Sequence, residues 1–594
     1  MLHEFVQRGV AIGDQAFAPV FDAVQGGGFA APVLAVVFER GAQRFEFRVV
    51  KLAQLLGEEL FGALARDLLL DGARTRDLVA QVVVELQRCE LCIRKRGQRM
   101  RQLEHVQRLA PELAAAGPLV ARYRGMGIVV VIVHHSSVTQ NWKIMNAIIA
   151  QSDDSLAQLD RLAELAQDVV QRCRAAGASD TEVGASIDTG LSVNVRMGEV
   201  ETIEHNRDRS FGVTVYFGQR KGSASTADLA PDSIAKTIEQ ACAIAKFTEA
   251  DPYAGLADPA RLARVFPDLD LWHPWAIDAQ AAIGLGIGIE EAGRALHGIT
   301  NSEGATVQTG ESLGVYATSQ GFVGRERGTR HSLSCSLIAQ DANGMQRDYW
   351  YETVRAADDF PDIATIGRKA AERTLARRDA RKLDTRQCPV LFAPEVARGL
   401  IGHLVAAVSG GALYRKASFL LEQAGKKLYP DFVEIMERPH IPRGQGSGNF
   451  DSEGVATSDN ALVTNGVLRR YVLGSYSARR LGLQSTGNAG GVHNLVVTPG
   501  ADDFAGMLEK LGTGLLVTEV MGQGVSIVTG DYSRGAAGFW VENGQIAYPV
   551  EEITIASNLR DMFAGIAAIG ADVDRRSHIL TGSILIERMT VAGS

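Results

Sequence analysis

Cysteine is scarce in this 594-residue chain, and what there is lies scattered, at Cys89, Cys92, Cys173, Cys242, Cys335 and Cys388. That usage argues against a disulfide-stapled secreted domain and for a reducing compartment. Long apolar runs are missing too. The longest, residues 128–133, falls far short of the ~20 residues a membrane helix needs, and residues 1–8 lack the basic start and apolar stretch of a signal peptide. Nor is there an excess of charge of one sign: a net charge of -8 is spread over interspersed acidic and basic side chains, without the concentrated basic face of a nucleic-acid binder. The chain therefore reads as cytoplasmic, with neither a membrane nor a nucleic acid as partner. What is present, 46% hydrophobic and 22% charged residues, is the make-up of an ordinary folded protein of about two to four domains.

A second scarcity is local. Before Asn141 there is no asparagine, and lysine occurs only at Lys51, Lys95 and Lys143 up to residue 144. Segments such as 52–70 and 81–91 run on without the Asn, Asp, Gly and Pro punctuation that separates elements in a folded domain. From Met145 the text changes. Asp153 and Asp154 precede an apolar series at Leu156, Leu159, Leu162, Ala163, Ala166, Val169, Val170 and Cys173; Arg172 and Arg174 close it, and Gly177 follows. Acidic start, basic end and glycine stop agree on one amphipathic helix. Residues 1–144 read as a wrongly assigned upstream extension, with Met145 the natural start, or as a poorly ordered appendage outside the main fold. The Cys89-x-x-Cys92 pair in this stretch lacks the second pair that a zinc ribbon requires.

Beyond the first helix, period-two segments at 181–187, 191–196, 200–207 and 211–217 are separated by glycines and predict four strands. Pro231 opens a helix with the stripe Ile234, Ile238, Ala241, Cys242 and Ala245. Residues 145–250 thus form an expected α-β-β-β-β-α domain. An Asp/Pro-rich linker over 251–270 leads to a helix at 275–296, strands at 306–309, 314–318, 331–340 and 347–354, with a hairpin turn at Asn343-Gly344, and a helix at 363–378. The segment 251–385 is therefore expected to be a central α+β domain. Residues 386–594 predict a mainly β domain with one embedded helix at 395–408 and two hairpins centred on Asn465-Gly466 and Asn543-Gly544. The fold class is α+β.

Most motif matches weaken on inspection. Gly310-Glu311-Ser312-Leu313-Gly314 has the G-x-S-x-G spacing, but strand continues where a nucleophile elbow requires a helix. Gly284, Gly286 and Gly288 sit inside a helical pattern and read as packing positions, and no P-loop occurs. Gly444, Gly446 and Gly448 read as a plain flexible loop. A zinc peptidase needs at least three protein ligands and a base, commonly with two histidines one helical turn apart. No helix here has that pair. His134 and His135 are adjacent and lie in the extension, and His403 stands alone on the 395–408 helix.

The run from Gly530 to Gly544, Gly-Asp-Tyr-Ser-Arg-Gly-Ala-Ala-Gly-Phe-Trp-Val-Glu-Asn-Gly, closely resembles the PmbA (TldE) side of the TldD/PmbA peptidase family. So do Leu413-Tyr414-Arg415-Lys416-Ala417-Ser418-Phe419-Leu420 and Thr486-Gly487-Asn488-Ala489-Gly490-Gly491, and the resemblance spans residues 145–594. In the sister subunit TldD, the family pattern is a helix carrying H-E-x-x-x-H, with a later cysteine completing a zinc site. Laid on this chain, the first histidine is Arg398, the glutamate is Gly399, and only the last histidine, His403, is kept; no cysteine follows Cys388. The resemblance thus implies a chain with no metal of its own. It would be the partner of a TldD-like subunit that carries the zinc, in a heterodimer acting on unfolded peptides for peptide maturation or antitoxin degradation. Arg415, Lys416 and Ser418 are expected to line the substrate cleft. Two other readings stay open: an autonomous peptidase with an unrecognised site, and a regulatory protein acting on a gyrase or toxin system.

Overall fold

The computed structural model describes residues 33–41, 44–49, 119–122, 129–134, 154–341 and 344–593. They fall into two units, Met1–Asp153 and Asp154–Ser594. In the first unit, β1 (Val33–Gly41), β2 (Arg44–Val49), β3 (Leu119–Arg122) and β4 (Val129–His134) form a sheet ordered β2-β1-β4-β3. The Cys89/Cys92 pair and His135 lie outside the described residues.

The second unit opens on the expected amphipathic helix, α1 (Asp154–Ala175), which buries Leu159, Leu162, Ala166, Val169 and Val170. Then come β5 (Asp180–Arg196), β6 (Glu199–Phe217), β7 (Arg220–Thr226), α2 (Pro231–Phe247), α3 (Ala279–Arg294), β8 (Asn301–Thr318), β9 (Val323–Asp341), β10 (Gly344–Val354) and α4 (Ile363–Ala376). The six strands make one antiparallel sheet, β10-β9-β8-β5-β6-β7, so residues 145–250 and 251–385 contribute to a continuous layer.

Two differences from the sequence pattern have physical causes. The four short strands expected over 181–217 are two long ones, because Gly190 and Gly212 do not turn the chain but pair within the ladder, opposite Asn206 and Gly184. The true turn is Met197-Gly198, both with positive φ; the buried carboxylate of Glu290 accepts both of its backbone N–H groups at 2.8 Å. Likewise β8 is continuous through the G-x-S-x-G stretch. The turn residues Ala342 and Asn343 lie outside the described residues.

On β5 the buried side chains Val183, Ala185, Leu191, Val193 and Val195 share one parity and hence one face. The first end of that face packs against α1 and α2, the second against α3 and α4. Residues 251–270 then dock onto the C-terminal segment, where Arg479 donates to the carbonyl oxygens of Tyr253, Gly255 and Leu256 at 2.7–3.0 Å.

The C-terminal segment contains β11 (Arg386–Phe392), α5 (Pro394–Ala407), α6 (Gly410–Tyr414), β12 (Ile435–Glu437), β13 (Asn460–Thr464), β14 (Val467–Leu468), α7 (Ser475–Leu481) and β15 (Leu495–Val497). It continues with α8 (Phe504–Leu511), β16 (Gly514–Met521), β17 (Asp531–Glu542), β18 (Gln545–Asn558), α9 (Leu559–Ala564), β19 (Ile566–Ile569), β20 (Ile579–Leu580) and β21 (Ile584–Ala592). The expected helix is α5, joined by four shorter ones. One sheet runs β11-β16-β17-β18-β21-β19 and closes through an added β11–β21 pairing; a second runs β14-β13-β12-β15-β20. α5 buries Ala397, Leu400, Ile401, Leu404 and Ala407 in the core shared with both sheets. Both Asn-Gly hairpins form as expected, with positive φ at Asn465, Gly466, Asn543 and Gly544.

Candidate functional site

Pro394 sits at the first helical position of α5, where its missing N–H costs nothing. Because one stripe of the helix is spent on the core, the opposite stripe presents Glu395, Arg398, Gly399 and His403 to a cleft of about 300 Å³. The three positions singled out from sequence are thus brought together on one wall. The other walls come from distant parts of the chain: Asp348 to Tyr351 on β10, Arg373 on α4, Thr518 to Val520 on β16, Arg534 on β17, and Arg576.

Arginine–carboxylate pairs and aromatic rings knit these walls. Arg373 donates to Glu395 at 2.6 Å and to Asp348 at 3.3 Å, and Arg377 reaches Glu519 at 2.5 Å. Arg576 holds Asp574 with two nitrogens, at 2.9 and 3.1 Å, and stacks 3.9 Å above Trp350. Arg398 donates to the Tyr351 hydroxyl at 3.0 Å and lies 3.7 Å from Asp574. Two strand edges face the cleft. That of β10 is blunted, since the Tyr351 carbonyl accepts from Arg576 and the Tyr349 N–H donates to Asp348. That of β16 differs: its pairing with β11 ends at Val517, so Thr518 to Val520 have β17 on one side and the cleft on the other.

His403 is half-buried, edge-on to the Tyr532 ring at 5.9 Å. Burial, and then the nearby Arg534 cation, hold its pKa below the usual histidine value, so the imidazole is neutral at pH 7. An NMR titration of the His403 ring should show a midpoint below ~6.5, and Arg534→Gln should move it upward; a midpoint that stays put would remove Arg534 as a cause.

The donor chemistry does not fit zinc. One imidazole faces the cleft where a guanidinium and a glycine occupy the other two positions, and each carboxylate that lines the cleft, Asp348, Glu395 and Glu519, is engaged by arginine. Cys388 is buried on β11, and among the described residues no group of three or more His, Cys, Asp or Glu is placed to hold a metal ion.

The other sequence-nominated residues lie elsewhere. Ser418 is buried, its hydroxyl donating to the Ala407 carbonyl at 2.6 Å and accepting from the Leu420 N–H, so it joins α5 to the following loop instead of facing the cleft. Arg415 and Lys416 are exposed, with Arg415 over the Tyr414 ring, and neither lines the cleft around His403. Arg534, Arg576 and Tyr351 were not nominated from sequence, although Arg534 stands within the 530–544 run.

Three family models match this chain: PmbA/TldA metallopeptidase domain 1 over residues 181–245, the central domain over 272–378 and the C-terminal domain over 385–593. The chain is 50% identical over 421 residues to the metalloprotease PmbA of Escherichia coli O157:H7, which covers 70% of this chain and 94% of that one. The chain belongs to the PmbA/TldD metallopeptidase family. A PmbA homolog of Haemophilus influenzae is 46% identical over 440 residues, 74% of this chain and 97% of its own. Among solved structures, a Bacteroides thetaiotaomicron protein described as a candidate modulator of DNA gyrase superposes with a TM-score of 0.69 at 26% identity, over 73% of this chain and 98% of that one. TldE of Thermococcus kodakarensis shares the fold, with a TM-score of 0.64 at 19% identity over 72% and 100% of the two chains. No helix among the described residues is long and apolar enough to cross a bilayer.

Proposed function

We propose that this chain is the subunit without metal in a two-chain, TldD-type zinc peptidase that degrades or matures unfolded peptides. The observation that carries the reading is the α5 face: Arg398, Gly399 and His403 line one cleft, where among the described residues no group of three or more His, Cys, Asp or Glu is placed to hold a metal ion. A TldD-like partner would hold the zinc, which supplies Lewis-acid polarisation of the peptide carbonyl and an activated water when bound. This chain's own residues would do the holding. An extended peptide added to the β16 edge at Thr518 to Val520 would be bound through main-chain hydrogen bonds, which tolerate varied side chains. Trp350, Tyr351 and Val396 give the same cleft apolar walls that exclude water from the bound strand.

The test is to purify the chain alone, a TldD-like chain alone, and the two co-expressed. The expected result is a stoichiometric complex that cleaves an unfolded peptide and is silenced by a chelator, with zinc travelling with the TldD-like chain. Tightly held zinc and hydrolysis in the isolated chain would overturn the proposal.

A further inference from the structure

Counting charges around the cleft, with Lys369 and Glu352 beside Trp350 offsetting one another, leaves one cation over. Asp348 is shared by Arg373 and Arg377, Glu395 belongs to Arg373, Glu519 to Arg377, and Asp574 to Arg576 with Arg398 at longer range. Arg534 is half-buried in the same wall, donates through Nε to the Met521 carbonyl at 3.0 Å, and has no carboxylate within ion-pair distance among the described residues. A guanidinium drawn partly out of water without a counter-charge is costly, and it presents unused N–H donors in the planar fork that suits a carboxylate. Its field is felt locally, since it helps to keep His403 neutral.

We propose that the cleft is a carboxylate-recognition site, in which Arg534, with Arg398 lining the same space, takes a carboxylate of a peptide laid along β16. The inference rests on the peptide-holding role above and adds a chemical preference to it. A single surplus positive charge suits one carboxylate better than a phosphate dianion, and the Tyr349, Trp350 and Val396 walls offer apolar contact to a peptide. The carboxylate could be a chain terminus or an internal acidic side chain.

Calorimetric titration of the full chain would use three probes: tetra-alanine with a free C-terminus, its C-terminal amide, and an amidated alanine peptide with a central glutamate. At least one acidic probe should bind roughly 10-fold or more tightly than the neutral amide, the scale of a charge-assisted hydrogen bond. Preference for the free acid alone identifies the α-carboxylate, and binding of the glutamate probe identifies a side chain. Arg534→Gln should abolish the preference and Arg534→Lys, which keeps the charge without the planar fork, should retain part of it, with neither thermal melt lowered. Equal binding of all three probes, or a preference that survives Arg534→Gln, overturns the proposal while leaving the peptide-holding role intact. No binding of any probe overturns both.

Discussion

Replacing Glu437 by alanine should cost the fold about 3–5 kcal/mol, the range for leaving a buried charge without its partner. Glu437 is buried at the end of β12. One carboxylate oxygen accepts from Asn488 Nδ2 at 2.8 Å and from the His493 N–H at 2.6 Å, and the other is paired with Arg470, which also donates to Asn488 Oδ1 at 2.8 Å. This network is the structural content of the Thr486–Gly491 run. Truncating the carboxylate strands the Arg470 guanidinium, whose side chain is only 10% exposed. Urea denaturation monitored by circular dichroism checks it: the midpoint should fall sharply with an unchanged slope. An unmoved midpoint would show that the pair contributes nothing net.

The same group sets an acid limb. Burial alone would raise the Glu437 pKa, but the His493 hydrogen bond and the Arg470 charge outweigh it and hold the pKa below the usual glutamate value. A depressed folded-state pKa means the unfolded chain binds its proton first. The stabilisation is therefore complete above the unfolded value, near ~4.3, and fades as pH falls through the folded one. In Glu437→Gln that part of the acid dependence should vanish.

Gly367→Val should be comparably damaging through packing. At the α3–α4 crossing two glycines meet: a Cβ on Gly367 would lie 1.9 Å from the Ile289 carbonyl oxygen, and one on Gly293 would lie 2.6 Å from the Gly367 carbonyl. The obstacle is backbone, so the helices must separate, and the cost should reach or exceed ~3 kcal/mol, the upper end for overpacked cores. Gly399→Ala on α5 is the control. Nothing lies within 4 Å of its added Cβ, and alanine is the better helix former, so a gain of up to ~1 kcal/mol is expected. Thermal melts of the two variants should move in opposite directions; equal losses would refute the packing account.

Legibility followed the range of the interactions. The Asn465-Gly466 and Asn543-Gly544 hairpins were readable because positive φ is a demand met by the two residues themselves. The helix over Asp154–Ala175 was readable because its ends and its stripe agree within one segment. Strand continuity through Gly190 was not: whether a glycine bends a chain or pairs in a ladder depends on neighbours such as Asn206 and Gly310, far along the sequence. Ser418 shows the same limit, since nothing local reveals that its hydroxyl is spent on the Ala407 carbonyl.

From composition and order alone came the α+β class and the helix bearing His403; that Arg398 and Gly399 stand where a histidine and a glutamate would be is what the family resemblance implies, because residue identity is itself the chemistry of ligation. Folding decided what surrounds that helix. It brought Tyr351, Arg534, Asp574 and Arg576 from either side of it, paired the carboxylates that line the cleft, and left Arg534 over. Charge balance in a cleft is a sum over groups remote in sequence, and only their three-dimensional distances fix its sign.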